Sequence, residues 1–209
     1  MSVTERVPLS RERILRAAVE LVDANGLGAL SMRKLGAALG VEAMSLYNHV
    51  ANKDAVVDGL LEALLQEVEL PPRDRPWDEQ IRVIALQCRK AGHAHPAIFP
   101  LFGSRPVQSM DAFAPFEQTY GALRLAGFDP PAALDAFMAV ASYVFGFTLA
   151  EVGGLVSMTS ERPIDLDGFD AADHPYAIEM AAVLLQRDAD QQFSFGLEQL
   201  LRGLAAMLA

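Results

Sequence analysis

Between Ser31 and Lys53 the chain reads SMRKLGAALGVEAMSLYNHVANK, and its polar groups recur at spacings that suit contact with a nucleic-acid duplex. Arg33, next to Met32, offers a planar fork of N–H donors that fits the O6/N7 edge of a guanine. Ala43 and Met44 are apolar and can meet a thymine methyl. Ser45, Tyr47 and His49 can bond phosphate oxygens, which fixes register without reading sequence. Lys53 adds a positive charge where a helix begins, and the free N–H groups of a helix start favour an anion. Taken singly, these residues have plainer readings: Tyr47 as a half-buried aromatic, His49 as a surface histidine, Arg33 and Lys34 as a solvated pair. Their combination with helix caps and small hinge residues points to DNA.

The elements that must hold these groups are legible around them. Ser10 and Ser31 are N-caps, for helices running to about Asn25 and Leu39. Ile14, Ala17, Ala18, Leu21 and Val22 keep the 3, 4 spacing of one helical face. Gly26 reads as a left-handed stop after the first helix. Gly36 provides the small residue at which two steeply crossing helices meet, and Gly40 the turn residue tolerant of positive φ. A short helix over about Glu42–Asn48 follows. Asn52 caps a fourth, about Lys53–Glu69, whose pairs Val56/Val57, Leu60/Leu61 and Leu64/Leu65 form a broad apolar stripe. Leu35, Leu39, Val41 and Leu46 would form the small core beneath a helix-turn-helix, with the last short helix in the major groove.

The chain has 209 residues and a net charge of −10, which at first argues against nucleic acid. The charge is unevenly spread. Residues 1–53 hold seven Lys/Arg and five Asp/Glu, whereas residues 54–209 hold ten and twenty-two. A mildly basic head on an acidic body binds phosphate locally while the body repels non-specific DNA. With 52% hydrophobic residues, a large core is expected rather than disorder. A single cysteine, Cys88, excludes an intrachain disulfide and fits a reducing cytoplasm. The N-terminus shows no apolar signal core. The uncharged run Ala136–Ala150 is too short to span a bilayer and reads as a buried or interface helix, so no membrane partner is expected.

Leu70–Pro76 holds three prolines and is the clearest break in the chain. It divides a DNA-binding domain over residues 8–69 from a second domain over 77–209, with a linker at about 70–76. The second domain reads as helices throughout: about Trp77–Ala94, a short one near Pro96–Phe102, Gln108–Ala126 with a disturbance at Pro115, Pro130–Met158, Pro175–Asp188 and Ala189–Leu208. Thr159–His174 reads as a loop. The fold class is therefore all-α, a three-helix helix-turn-helix head followed by a larger helical domain. Small residues on the long Pro130 helix, among them Ala139, Ser142, Gly146, Gly153 and Gly154, suit close contact either with helices of the same chain or, more economically, with a symmetry mate, hence a homodimer.

Aromatic side chains supply much of the bulk of the second domain, and many of them can be plain core. A pocket lined by aromatics with a few polar groups would take a small, largely apolar molecule. The candidate lining is Leu101, Phe102, Phe113, Phe116, Tyr120, Phe137 and Tyr143, with Gln87, Arg105 and Glu117 as the polar members. No cofactor is expected. His93-x-His95 invites a metal reading, but positions i and i+2 on a helix point to different faces, so no metal is assigned.

At residues 14–61, ILRAAVELVDANGLGALSMRKLGAALGVEAMSLYNHVANKDAVVDGLL, the sequence resembles the tetracycline-repressor (TetR) family of bacterial transcription regulators. The resemblance rests on the glycine-closed first helix and on the helix-turn-helix core with Tyr47, His49 and Lys53. A weaker likeness to the ligand-binding half of the tetracycline repressors covers LFGSRP (101–106), Gly127-Phe128, FGFTL (145–149) and FGLEQLLRGL (195–204). The resemblance implies an all-helical homodimer that binds a palindromic operator. It also implies a small-molecule pocket in the second domain, a dimer interface of two helices per subunit, and a fourth helix that swings on ligand binding. Tetracycline repressors carry a His before the Leu-Gly-Thr-Arg-Pro turn that binds drug-chelated magnesium, and here that position is Leu101. The His, Asn and Phe that hold the drug elsewhere align with Glu69, Ile84 and Cys88, so Mg-tetracycline is not the expected effector. Asn48 replaces the aromatic that commonly follows the Tyr, which implies a different operator preference.

The expected function is thus a ligand-responsive repressor. The reading from another class is a helical carrier or enzyme with a vestigial DNA-binding head. The chain has no nucleophile–base pair, phosphate loop or metal cluster in its sequence to support an enzyme.

Overall fold

The computed structural model describes residues 8–107, 109–154, 173–184 and 186–208, and every regular element among them is helical. These residues fall into two compact units. The first comprises Met1–Pro72 and Leu86–Gln118, the second Arg73–Ala85 and Thr119–Ala209. The proline-rich break thus coincides with one passage between units, and the chain passes between them twice more.

In the first unit, α1 (Arg11–Asn25), α2 (Met32–Leu39), α3 (Ala43–Leu46) and α4 (Lys53–Gln66) form the head. All three predicted serine and asparagine caps are in place. The Ser10 and Ser31 hydroxyls accept from the N–H groups of Arg13 and Lys34 at 3.2 Å, and Asn52 Oδ1 accepts from Ala55 N–H at 2.8 Å. Each satisfies one of the N–H groups that a helix start leaves without a partner. Ile14, Ala18 and Val22 of α1 are fully buried, as are Leu35, Leu46, Val56 and Leu60. Gly26 differs from expectation. Its φ is 77° but its ψ is 161°, so it is not left-handed helical; it turns the chain into a single 3-10 turn at Leu27–Ala29.

The same unit takes in the second half of α5 (Trp77–Ala94), the 3-10 turns Phe99–Gly103 and Asp111–Phe113, and the start of α6 (Ala114–Ala126). Both turns pack on α4. Gln118 is buried and donates to Pro71 O at 2.7 Å, which holds the break. The helix expected over Gln108–Ala126 is interrupted next to Pro115, since Asp111–Phe113 is a 3-10 turn and α6 begins only at Ala114. Pro115 occupies the second position of α6, where no intrahelical N–H bond is needed. Gln108, placed at a helix start from sequence, lies outside the described residues.

In the second unit, Gln80 near the start of α5 donates to Arg73 O at 3.1 Å and Arg75 O at 2.8 Å. Trp77 meets Phe128 edge-on at 5.8 Å. Asp129 caps α7 (Pro130–Val152), with Oδ1 accepting from Ala132 N–H at 2.9 Å. Two shorter-than-expected helices, α8 (Pro175–Leu184) and α9 (Ala189–Ala205), complete the unit. α7 ends at Val152, with Gly153 as its C-cap and Gly154 at φ 78°, short of the expected Met158. Residues 155–172 lie outside the description, and with them most of the Thr159–His174 loop.

α7 needs one correction. Its uncharged run alone is too short to span a bilayer, yet the helix is 23 residues long, and an 18-residue window of it has mean hydropathy 1.6. By length and composition alone it could cross a membrane. Its burial is one-sided. Ala133, Ala136, Val140, Val144, Thr148 and Glu151 recur every three or four residues and are buried, while Leu134, Met138 and Leu149 stand open.

Candidate nucleic-acid interface and effector residues

The α2–α3 corner is built by two glycines. Gly40 adopts φ 68°, ψ 33°, the left-handed conformation an L side chain resists. It lets the chain double back so that Val41 N–H reaches Gly36 O at 2.9 Å, a Schellman closure. A Cβ on Gly36 would lie 2.9 Å from Val41 O and 3.2 Å from the Ala43 backbone, so nothing larger fits where α2 meets α3.

α3 is shorter than the expected Glu42–Asn48. Its path is nevertheless carried on by turns. Tyr47, Asn48 and His49 donate to the carbonyls of Met44, Ser45 and Leu46 at 3.3, 3.4 and 2.9 Å, and Val50 N–H to Leu46 O at 3.0 Å. Leu46 and Val50 face inward and are buried. This anchoring turns the opposite side outward. Met44 is 75% exposed and Tyr47 44% exposed, and Asn48 and His49 are exposed. Ala43 and Ser45 are half-buried, the former because its backbone backs onto Gly36.

On α2, Arg33 and Lys34 are exposed and Met32 is half-buried. Lys53 is exposed at the start of α4. Its neighbour Asp54 would oppose an anion there, but Asp54 Oδ1 accepts from Arg105 at 3.1 Å, so its charge is met from behind. The arrangement can present a cation and a helix N-terminus to one phosphate while Arg33 and Met44 reach base edges.

The effector candidates divide between the two units. Gln87, Leu101, Phe102, Arg105, Phe113, Phe116 and Glu117 belong to the first; Tyr120, Phe137 and Tyr143 belong to the second. In the first, Phe99 and Phe102 meet edge-on at 5.5 Å, and Phe113 and Phe116 at 5.6 Å. Leu101 is buried, Gln87, Phe102 and Phe116 are half-buried, and Phe113 and Glu117 are exposed. Cys88, beside Gln87, has its thiol pushed up to about 12 by burial.

Arg105, Tyr143 and Tyr120 are each engaged by hydrogen bonds. Arg105 is tied to α4 by Asp58 as well as Asp54, at 2.7 and 3.1 Å. Tyr143 belongs to helix packing: its hydroxyl donates to Phe193 O at 2.8 Å, and its ring lies against Phe147 and Phe193. Tyr120 donates to Pro130 O at 3.4 Å. Two cavities, a 460 Å³ groove along α8 and a 470 Å³ groove between α1 and α4, are lined by none of the ten residues. The sequence reading missed Thr148, fully buried on the inner side of α7, whose Oγ1 has no hydrogen-bond partner among the described residues. Its hydroxyl within the uncharged run Ala136–Ala150 was the available signal.

The chain is similar to known proteins in family and fold. Residues 14–60 match the family described as bacterial regulatory proteins, tetR family, and residues 70–208 match the tetracyclin repressor-like C-terminal domain. An HTH-type transcriptional regulator of Saccharopolyspora erythraea is 41% identical over 144 residues, 68% of this chain and 61% of that protein, so the match spans under two thirds of that relative. The class D tetracycline repressor protein of Escherichia coli is 30% identical, covering 96% of this chain and 91% of its own. Among solved structures, apo ActR of Streptomyces coelicolor has a TM-score of 0.82 at 28% identity, with 97% of each chain covered. ActR in complex with actinorhodin has the same score and identity, covering 97% of this chain and all of its own.

Proposed function

Since this chain belongs to the tetR family of bacterial regulatory proteins, we propose that it is a ligand-responsive transcriptional repressor. It binds a palindromic operator as a homodimer and leaves it when a small, largely apolar effector binds. The observation that carries this reading is the outward row Arg33, Met44, Tyr47, His49 and Lys53, set on a corner that only Gly36 and Gly40 allow.

The proposed division of labour puts DNA contact in residues 8–69 and effector binding and dimerisation in 77–209, a reading supported by the family matches over 14–60 and 70–208. Dimerisation is supported by α7, whose 18-residue apolar window is only 28% buried within one chain. An open apolar face of that length is stabilised by covering it, and a twofold mate offers the same face. A dimer also sets two reading segments about one helical turn apart, as a palindrome requires.

A small effector is supported by the aromatic turns on α4 and by ActR, whose structures carry actinorhodin or (S)-DNPA. Leu101 is apolar and buried, which suits neither magnesium nor a chelate. Phe102, Phe113 and Phe116 would meet the effector, and a shift of their turns would move α4 and Lys53 with it. Selection from a random-sequence duplex pool tests the reading. Recovery of a palindrome bound by a dimer is expected; no enriched site at low salt would defeat it.

A further inference from the structure

His95, the first residue after α5, is held from both sides. Its Nδ1 lies 2.7 Å from Asp23 Oδ2 near the end of α1, and its Nε2 lies 2.9 Å from Glu67 Oε2 just after α4. A neutral imidazole has one N–H and can donate to one carboxylate only; the second contact would set lone pair against lone pair. The geometry is complete only for the imidazolium. The side chain is 12% exposed, so solvent does little to replace a lost partner. With a carboxylate on each nitrogen, neither nitrogen is left to bind a metal.

The same residue starts the segment that leads to Arg105. The His95 carbonyl accepts from Ile98 and Phe99 N–H at 3.0 Å, which opens the turn Phe99–Gly103. Residues 95–105 therefore run back along α4, fixed at one end by Glu67 and at the other by Asp54 and Asp58. Of these two fastenings only the histidine changes charge near neutral pH.

We propose that His95 is a proton-operated latch, whose imidazolium joins α1, the end of α4 and the segment after α5 into one rigid frame, and whose deprotonation loosens that frame and weakens DNA binding. The proposal rests on the DNA-binding function given above. The charged groups facing the ring are Asp23 from α1 and Glu67 from the end of α4; the nearest titratable neighbour on its own segment is His93, exposed in the last turn of α5. Burial opposes the charge on His95, but the hydrogen bonds to Glu67 and Asp23, together with their charges, outweigh it and raise the group above its ordinary value. Because the folded value is raised, the contribution is full below the ordinary histidine value of about 6.5 and is lost as pH rises through the higher folded value.

The test uses the full chain and a duplex it has selected from a random pool. Ring-nitrogen NMR is expected to show His95 protonated on both nitrogens at neutral pH. Between about pH 6.5 and 8.5 the wild-type affinity is expected to fall roughly three- to tenfold relative to that of His95→Gln. The difference between the two proteins is the readout. Asp23→Asn and Glu67→Gln each lower the His95 midpoint, and they serve if His95→Gln does not fold. A singly protonated His95 at neutral pH overturns the latch, as do parallel pH profiles for the two proteins. If no duplex is selected, the regulator reading fails instead, and the NMR titration still decides whether the latch exists.

Discussion

Arg105 is joined to Asp58 by a 2.7 Å hydrogen-bonded ion pair that bridges 47 residues of sequence and fastens the turn after Phe99–Gly103 to the second turn of α4. The guanidinium also reaches Asp54, so one cation spans a full turn of the helix that begins with Lys53. A side chain expected to meet an effector instead links the candidate effector turn to the DNA-binding end of the head. Arg105→Ala and Asp58→Asn should each lower the melting temperature. The double variant should melt no lower than the worse single one, because both remove the same contact. Additive effects in that cycle would show that the pair is not coupled. Raising the salt should shrink the differences, since the pair is partly open to water.

The corner at Gly36 gives the sharpest test of the reading head. A methyl there meets the Val41 carbonyl, which is backbone and cannot rotate away. Gly36→Ala should cost about 1–3 kcal/mol of stability, the range for overpacking a tight contact. It should also reduce operator affinity more than its stability loss explains, because α3 is pushed off α2. Thermal melts beside gel shifts measure both, and unchanged affinity would separate the corner from DNA reading.

Lys53 and Arg33 should fail in different ways. Lys53→Ala should weaken binding to all duplexes and reduce the slope of log affinity against log salt by about one. Arg33→Ala should lose about 1–3 kcal/mol of discrimination at a single base pair and leave the other positions unchanged. Salt titrations with operator variants distinguish the two, and the assignment of Arg33 is wrong if base preference survives its loss.

Tyr143 and Gly196 give a control inside the second unit. The Tyr143 hydroxyl sits where a Gly196 side chain would be. Gly196→Ala should displace the phenol and break its bond to Phe193 O, costing about 1–3 kcal/mol. The effect should appear in thermal unfolding with the selected duplex still recognised by the folded fraction.

The open face of α7 tests the oligomer. Met138 is 52% exposed and Leu134 51% exposed within one chain. Met138→Glu should leave helix content unchanged and yield a monomer by analytical ultracentrifugation. Operator affinity should then drop roughly a hundredfold or more as two-headed attachment is lost. A dimer that survives Leu134→Glu/Met138→Glu would place the interface elsewhere.

What the sequence determined by itself was local. Ser10, Ser31 and Asn52 accept hydrogen bonds from residues three positions on, and Gly40 adopts its φ within its own turn, so residue type and short spacing suffice. The alternation of apolar residues likewise marks which side of α1 and α4 must turn inward. The tertiary structure decided everything that depends on residues far apart in the chain. Nothing in the sequence couples Arg105 to Asp54 and Asp58, or His95 to Asp23 and Glu67, because charged side chains find partners only after helices pack. One-sided burial of α7 has the same origin: apolar residues lie on every side of it, and only packing against its neighbours selects which face is covered and which is left open.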